Sequence, residues 1–377
     1  MSFPCTVNFL LSEAAKTVWF FGAGASSTAP YKVPVQGKLL EEFNKINPSG
    51  KDGAKQEFMQ YRERVRIACE RIQPGSTFEN VTLEEVFSAY EIQNQAGWAT
   101  DAEKKQARDS IQDLRRMLIR STGMRGRGDA LKFRPHKRKH TASPYAELLE
   151  KLFPLKCSIQ TLKSHVLVTM NYDISLDRCL INMKRRGCGL LDLDYGVEFA
   201  NYRLTDSFTR PGERSVLLLR LHGGLNWMRC LACQALFTTV DAHARMFETQ
   251  SCRMCGSERL DYIIVHPSFH RSYTDPVLQM VWGRLLEELR HADRWIFVGY
   301  SLPPADVDLR VLLRHALKMR TESGKDTNIL WVGKRNDPTD ERWLEVGNSF
   351  HDLFGYHAAA WEQAEDGFSG FVCSIKK

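Results

Sequence analysis

The sequence predicts an α/β fold: a Rossmann-like, doubly wound parallel sheet with an inserted helical subdomain and a small four-cysteine zinc-ribbon module. Apolar runs without polar alternation indicate strands that are buried on both faces of a parallel sheet. Each run ends in a loop carrying Gly, Asn, Asp, His or Ser, and helical patterns mostly follow. Two Cys-x-x-Cys pairs lie between the third and fourth runs. The five predicted strands are Val18–Phe21, His165–Thr169, Ser215–Leu221, Arg294–Val298 and Asn328–Val332.

Composition is that of an ordinary soluble globular protein. The 377 residues are 43% hydrophobic and 26% charged, and we expect one large domain over residues 1–377. The N-terminus lacks the basic and apolar regions of a signal peptide, and no run of about 18 apolar residues occurs. We therefore expect a cytoplasmic protein without a membrane segment.

The first predicted strand runs directly into the small-residue turn Gly22-Ala23-Gly24-Ala25-Ser26, and a helix is predicted over Gly37–Phe43. Such a turn leaves backbone N–H groups uncovered and allows a phosphate to approach. Tight packing alone would also explain the glycines. The turn differs from the dinucleotide fingerprint because Ser27 replaces the third glycine, and no acidic ribose ligand is evident.

A helical insertion is predicted over residues 45–165. Apolar residues recur at three- and four-residue spacing from about 54 to 122, and Thr82 with Glu85 forms a capping box. The segment 121–141 has no periodicity and is predicted to be a basic loop. Residues 115–140 contain ten Lys or Arg and one acid, so the segment is either a solvated loop or a contact for nucleic acid or an acidic partner.

Polar residues follow the later strands in the same way. Asn171 and Asp173 follow the second strand, His222 the third, and Gly299 and Ser301 the fourth. Because the carboxyl ends of parallel strands meet at one edge, these residues are expected to share one crevice. The alternatives are that Asn171 and Asp173 only cap the next helix and that His222 belongs to a structural turn.

Cys230, Cys233, Cys252 and Cys255 form two Cys-x-x-Cys pairs separated by eighteen residues. Four thiolates complete a closed tetrahedron around Zn²⁺, which leaves no position for a catalytic water. A structural zinc module is therefore predicted over residues 228–262. The alternative is four free or disulfide-bonded cysteines.

Taken together, the motifs resemble the sirtuin-like (SIR2-like) superfamily, in the same order from about residue 17 to residue 335. The Gly22–Ser26 turn is similar to the opening Gly-Ala-Gly loop. Asn171-Tyr-Asp173 matches the Asn-Tyr-Asp variant of the bacterial branch, and His222-Gly-Gly-Leu-Asn-Trp resembles the catalytic His-Gly motif with that branch's extension. The cysteines lie where sirtuins carry structural zinc. Gly299-Tyr-Ser301 is similar to the late Gly-X-Ser loop.

Two departures from protein-deacylating sirtuins favour the branch that cleaves NAD⁺ in antiphage defence. Tyr31–Gln36 replaces the Ile-Pro-Asp-Phe-Arg run, and Met170 replaces Gln. The resemblance implies hydrolysis of NAD⁺ by Asn171, Asp173 and His222. The residues that it implies for holding the dinucleotide are Gly22, Ala23, Gly24, Ala25, Ser26, Gly299 and Ser301.

The resemblance also implies control of a toxic activity. We expect a homo-oligomer or a separately encoded partner, such as a nucleic-acid-translocating ATPase or a guided nucleic-acid-binding protein. Three other functions stay open: an NAD⁺-dependent deacylase, a module that binds NAD⁺ or ADP-ribose without turnover, and a nucleic-acid-associated subunit that uses residues 121–141.

Overall fold

The computed structural model describes most of the chain, with short gaps in the insertion and the loops. The described residues are 15–28, 33, 38–46, 52–75, 78, 80–123, 143–185, 192–200, 210–239, 251–269, 273–335, 339–360 and 367–375. Most of the predicted basic loop 121–141 lies outside them. Residues 31, 32 and 34–36 of the Tyr31–Gln36 segment also lie outside them.

The helices and strands alternate along most of the chain, as a doubly wound fold requires. The strands are β1 (Thr17–Phe21), β2 (His165–Thr169), β3 (Asp192–Asp194), β4 (Ser215–Arg220), β5 (Gly223–Cys230), β6 (Leu236–Thr238), β7 (Leu260–Ile264), β8 (Arg294–Val298), β9 (Asn328–Val332) and β10 (Ala358–Ala360). The helices are α1 (Ala23–Ser27), α2 (Leu39–Asn44), α3 (Asp52–Ile72), α4 (Leu83–Gln95), α5 (Asp101–Gly123), α6 (Pro144–Leu152), α7 (Ile159–Ser164), α8 (Ser175–Arg185), α9 (Pro276–His291), α10 (Val307–Glu322), α11 (Glu341–Phe354) and α12 (Phe368–Ser374).

Seven strands form one parallel sheet in the order β10-β9-β8-β1-β2-β4-β3. All five residues of β1 are buried, which explains its run of large apolar side chains. The chain leaves β1 toward β2 on one side and later adds β8 on the other. The strand order therefore reverses beside β1, and ligands of open α/β sheets bind outside the carboxyl ends of strands at such a point.

The prediction of a doubly wound parallel sheet is confirmed. Three of the five predicted strands have the predicted bounds, the first begins one residue earlier, and the third ends at Arg220 rather than at Leu221. The edge strands β3 and β10 were not predicted. They have three residues each. Asp-Leu-Asp is mostly polar, and Ala-Ala-Ala lacks the large apolar side chains by which a buried strand is recognised.

The inserted helices pack around a second apolar cluster, separate from the core that covers the main sheet. Side chains from α2 to α5, including Phe43, Val65, Phe87 and Leu114, contact one another there. Tyr172, Ile174, Leu225 and Ile264 belong to the same cluster although they come from the sheet loops and from β5 and β7. The predicted capping box of Thr82 and Glu85 begins α4. Helix α2 begins at Leu39, two residues later than predicted.

A three-stranded antiparallel sheet, in the order β6-β5-β7, carries the cysteine pairs. Strand β5 begins at Gly223, immediately after His222, and extends into the predicted zinc module of residues 228–262. The strand that leads to the first cysteine pair therefore starts within the candidate catalytic motif.

Candidate functional site

A cavity of about 610 Å³ opens beyond the carboxyl ends of the central strands, at the point where the strand order reverses. Its volume lies in the range of small-molecule sites. Two of the three predicted catalytic residues, Asn171 and His222, line it, although 51 positions separate them in the chain. Five of the seven predicted dinucleotide-binding residues also line it. These five are Gly22, Ala23, Gly24, Gly299 and Ser301.

The glycines of the first and fourth strand ends pack against each other. The Gly24 N–H donates to the Gly299 carbonyl at 2.9 Å, and the Ala25 N–H donates to the Gly22 carbonyl at 3.0 Å. A Cβ on Gly299, whose φ is +60°, would lie 2.2 Å from the Ala25 nitrogen. These glycines are therefore required for close packing of two loops, and the Gly24 and Ala25 N–H groups are already bonded within the protein.

The amide of Asn171 is fixed by the first loop. Its Nδ2 donates to the Gly22 carbonyl and to Ser26 Oγ, both at 2.9 Å. Because a carbonyl oxygen can only accept, the contact with Gly22 assigns which end of the amide is the nitrogen. The amide oxygen is the acceptor that this side chain can offer to a ligand.

Ser26 does not line the cavity. It is buried, and its Oγ is shared between Asn171 and the Tyr145 hydroxyl, 3.0 Å away. Burial, followed by the charge of Asp173, raises the pKa of Tyr145 well above its usual value, so the phenol keeps its proton. Ser26 and Tyr145 therefore support the Asn171 amide from behind. Ala25 is buried too and does not line the cavity.

Asp173 also lies away from the cavity. Its Oδ1 accepts the Ser175 N–H at 2.9 Å, an interaction that fixes the first turn of α8. The carboxylate is buried beneath the loop that follows β2. This arrangement corresponds to the capping alternative that the sequence left open.

His222 is a buried histidine in a defined tautomer. Its Nδ1 lies 3.1 Å from the Met170 carbonyl, so Nδ1 carries the hydrogen and Nε2 carries the lone pair of the neutral ring. The rings of Tyr172 and Tyr273 lie 6.1 and 6.2 Å from the imidazole. The ring is therefore held in one orientation at the wall of the cavity.

The two glycines after His222 are each required by a close contact. Gly223 has φ +71°, and a Cβ there would lie 1.9 Å from the Ile263 carbonyl oxygen of β7. A Cβ on Gly224 would lie 2.3 Å from Arg220 Nε. The His-Gly-Gly sequence thus allows the chain to turn from the main sheet into the cysteine-bearing sheet.

The sequence patterns missed the charged and aromatic side chains that line the cavity. Lys38 precedes α2, Lys334 follows β9 and Arg342 belongs to α11, while Trp331 and Trp343 supply rings whose centroids are 4.8 Å apart. The cavity also contains carboxylates. Asp306 accepts from the Tyr300 hydroxyl, and Asp340 caps α11. Of these residues, only Lys334 could have been recognised as a candidate from the sequence, because it directly follows a predicted strand.

The four cysteines come together as the spacing predicts. Their sulfur atoms all lie within 4.8 Å of one another, and the pairs Cys230–Cys255 and Cys233–Cys252 are each 3.6 Å apart. A tetrahedral Zn²⁺ with Zn–S bonds of about 2.3 Å needs sulfur atoms about 3.8 Å apart. The donor set therefore fits a closed zinc site.

No protein-family model and no curated protein matches the chain. Among solved structures, a Sir2 homologue in complex with NAD is similar over 96% of this chain and 90% of its own, with 16% identity and a TM-score of 0.41. A structure concerned with sirtuin substrate affinity covers 96% and 92%, with 15% identity and a TM-score of 0.41. A structure concerned with the mechanism and regulation of Sir2 enzymes covers 96% and 94%, with 16% identity and a TM-score of 0.39. Similarity at this level carries no argument about what this chain binds.

Helices of the described residues are too short or too polar to cross a bilayer. The predicted location in the cytoplasm stays a prediction.

Proposed function

We propose that the protein hydrolyses NAD⁺ to nicotinamide and ADP-ribose. The observation that supports this most is the convergence of Asn171 and His222 on one cavity at the reversal of strand order. The resemblance of five motifs, in order, to SIR2-like proteins supplies the substrate. The site residues are consistent with that chemistry in type and placement.

In this reaction the bond between C1′ of the ribose and the nicotinamide nitrogen breaks, and its electron pair neutralises the pyridinium ring. A water oxygen then bonds to C1′ and loses a proton. Since the leaving group departs as a neutral molecule, no acid is needed. The enzyme has to orient the ribose, position the water and accept the proton.

His222 is the proposed base. With the hydrogen on Nδ1, the ring presents a lone pair at Nε2, which can accept a proton from the water or a ribose hydroxyl. The amide oxygen of Asn171 is proposed to hold the attacking water or a ribose hydroxyl. Asp173 is proposed to act indirectly, by fixing the loop that carries Asn171.

The pyrophosphate is proposed to bind near the cationic side chains of the cavity, with Ser301. Lys38, Lys334 and Arg342 supply positive charge, whereas the Gly24 and Ala25 N–H groups donate to protein carbonyls. The Trp331 and Trp343 rings offer an apolar surface for a base. This assignment differs from the one that the sequence suggested, in which backbone N–H groups held the phosphates.

The test is incubation of the purified protein with NAD⁺ and chromatography of the products. Removing a base typically lowers a rate about 10²–10⁴-fold, and we expect a loss in this range for His222→Ala. Asn171→Ala should lower the rate by about 10²-fold or more, because the water or the ribose is then misplaced. His291→Ala is the control, because His291 is exposed on α9 and does not line the cavity. Turnover at the wild-type rate in both site variants would contradict the assignment.

The same incubation separates the alternative functions. An NAD⁺-dependent deacylase consumes NAD⁺ only when an acylated peptide is added. A binding module raises the melting temperature with NAD⁺ or ADP-ribose but leaves NAD⁺ intact after long incubation. Analysis of the product also distinguishes ADP-ribose from a cyclised product.

We further propose that this activity is the effector of an abortive antiphage system in the cytoplasm, silent until a homo-oligomer or a separately encoded nucleic-acid-bound partner switches it on. The resemblance of the motifs is the support for this step. Full basal activity in a lone monomer would contradict it. If the 121–141 segment contacts nucleic acid, binding should weaken steeply with salt and disappear when the segment is deleted.

A further inference from the structure

A fully buried guanidinium joins the two loops that carry Asn171 and His222. Arg220, the last residue of β4, is 0% exposed. Its Nε donates to the Gly223 carbonyl (3.1 Å), and its Nη1 donates to Asp177 Oδ2 (2.5 Å). The two hydrogens of Nη2 are shared among the carbonyls of Asn171 (2.9 Å), Tyr172 (3.1 Å) and Asp173 (2.8 Å). One side chain thus binds three successive carbonyls after β2 and one carbonyl after β4.

Asp177 holds the guanidinium from the side of α8. Its other oxygen, Oδ1, accepts from the Tyr195 hydroxyl at 2.5 Å and from Asn226 Nδ2 at 3.2 Å. Burial, followed by the charge of Asp177, raises the pKa of Tyr195 well above its usual value, so the hydroxyl remains a donor. Asp177, Tyr195 and Asn226 are at most 1% exposed. Both oxygens of the carboxylate therefore accept from buried donors.

Stability alone does not explain this arrangement. Burial of two charges carries a large desolvation penalty, and replacing a buried ion pair by apolar residues is often neutral or stabilising. The chain also makes room for the guanidinium, because a Cβ on Gly224 would lie 2.3 Å from Arg220 Nε. A planar fork of donors at fixed angles defines the relative position of two loops in a way that apolar packing cannot.

We propose that Arg220, held by Asp177, is a positioning residue that sets the distance between the Asn171 amide and the His222 ring. Neither Arg220 nor Asp177 lines the cavity. Asn171 is then fixed from two sides, by Arg220 through its carbonyl and by Gly22 and Ser26 through its amide. The expected change in kcat rests on the proposed hydrolysis of NAD⁺. The expected positioning of the two loops does not.

The test is Arg220→Lys, which keeps the positive charge and a donor for Asp177 but loses the fork. Displacement of a reacting group by about 1 Å can cost about 10²-fold, so kcat for NAD⁺ hydrolysis should fall by about that factor with KM changed little. The matched control is Arg320→Lys. Arg320 is 2% exposed and bonded to Thr327 Oγ1 and to backbone carbonyls, but it lies at the end of α10, away from the cavity.

A second readout is independent of catalysis. Amide hydrogen exchange should accelerate in peptides covering residues 171–176 and 222–227 of Arg220→Lys, and should be unchanged there in Arg320→Lys. If wild-type protein does not turn over NAD⁺, the proposed function fails, while exchange still tests the positioning role. Unchanged exchange in Arg220→Lys overturns the inference, as does an equal loss of kcat in both variants.

Asp177→Asn provides a further test if Arg220→Lys does not fold. Asparagine has one acceptor oxygen, whereas Asp177 accepts from three donors through two oxygens. Exchange in the same two peptides should accelerate, and kcat should fall with KM nearly constant. Tyr195→Phe removes one donor to the carboxylate and leaves every bond of Arg220, so it should keep wild-type kcat. Wild-type kcat and exchange in Asp177→Asn would overturn the inference.

Discussion

Burial of His165 predicts that the free energy of unfolding falls as the solution is acidified. His165 is the first residue of β2, it is 4% exposed, and its Nδ1 accepts the Trp19 indole N–H at 3.4 Å. Burial, with a smaller effect of the Arg294 charge, lowers the pKa of His165 from 6.5 to about 4. Between these values the unfolded chain binds a proton at this position and the folded chain does not. Stability is therefore complete above pH 6.5 and is lost as the pH falls toward 4. A gap of about 2.5 pKa units, at about 1.4 kcal/mol each, corresponds to about 3.5 kcal/mol.

The assay is urea unfolding of the wild type and His165→Gln at several pH values between 7.5 and 4.5. Glutamine retains an acceptor for Trp19 but does not titrate. The wild type should lose more stability than the variant over this range, with a difference of about 2.5 kcal/mol at pH 4.5. His266, whose pKa burial also lowers, is present in both proteins and cancels in the comparison. Parallel stability curves for the two proteins would refute the reasoning.

Three further predictions concern the metal, the glycine contact and the support of the amide. Cys252→Ser should reduce bound zinc, measured by elemental analysis, from one per chain to none and should lower the melting temperature; full zinc content would contradict the site. Gly299→Ala should lower the free energy of unfolding by at least about 2 kcal/mol, because the new Cβ would lie 2.2 Å from a backbone nitrogen. Gly324→Ala is the control and should cost only about 1 kcal/mol, because its φ is also positive (+68°) but no described atom lies within 4 Å of the new Cβ. Equal melting temperatures for the two variants would exclude the contact. Ser26→Ala removes one of two acceptors of the Asn171 amide and should lower kcat for NAD⁺ hydrolysis about tenfold, with wild-type kcat as the contrary result.

Much of the fold could be predicted from the sequence because the central strands are uniformly apolar. β1, β2, β8 and β9 are buried on both faces, and burial on both faces requires the continuous apolar runs by which they were recognised. Polar edge strands carry no such requirement. The Asp-Leu-Asp sequence of β3 is compatible with a loop, and only pairing with β4 makes it a strand.

The site could be predicted only in part. The position of Asn171 and His222 in one cavity could be predicted because parallel strands end at one edge of the sheet. This rule sets which chain positions lie at the edge. The rule does not set where a side chain points. Ser26 follows β1 and Asp173 follows β2 at the same edge of the sheet, yet both side chains are turned inward and bonded to protein groups. Arg220 could not be identified at all, because it ends an aliphatic run and its partners are mostly more than 40 positions away.

The second apolar cluster implies that the helical insertion cannot be removed or exchanged as an independent unit. Residues 45–165 supply most of its members. The others are Leu39, Leu40 and Phe43 of α2, Tyr172 and Ile174 of the loop after β2, Leu225 of β5 and Ile264 of β7. Excision of the insertion would uncover these seven side chains. A shortened or chimeric protein therefore has to replace the seven with polar residues or provide a new apolar cover. The helical insertion and the rest of the chain share this core. The ends of an exchanged segment therefore have to be chosen from the contacts in the core rather than from positions in the sequence.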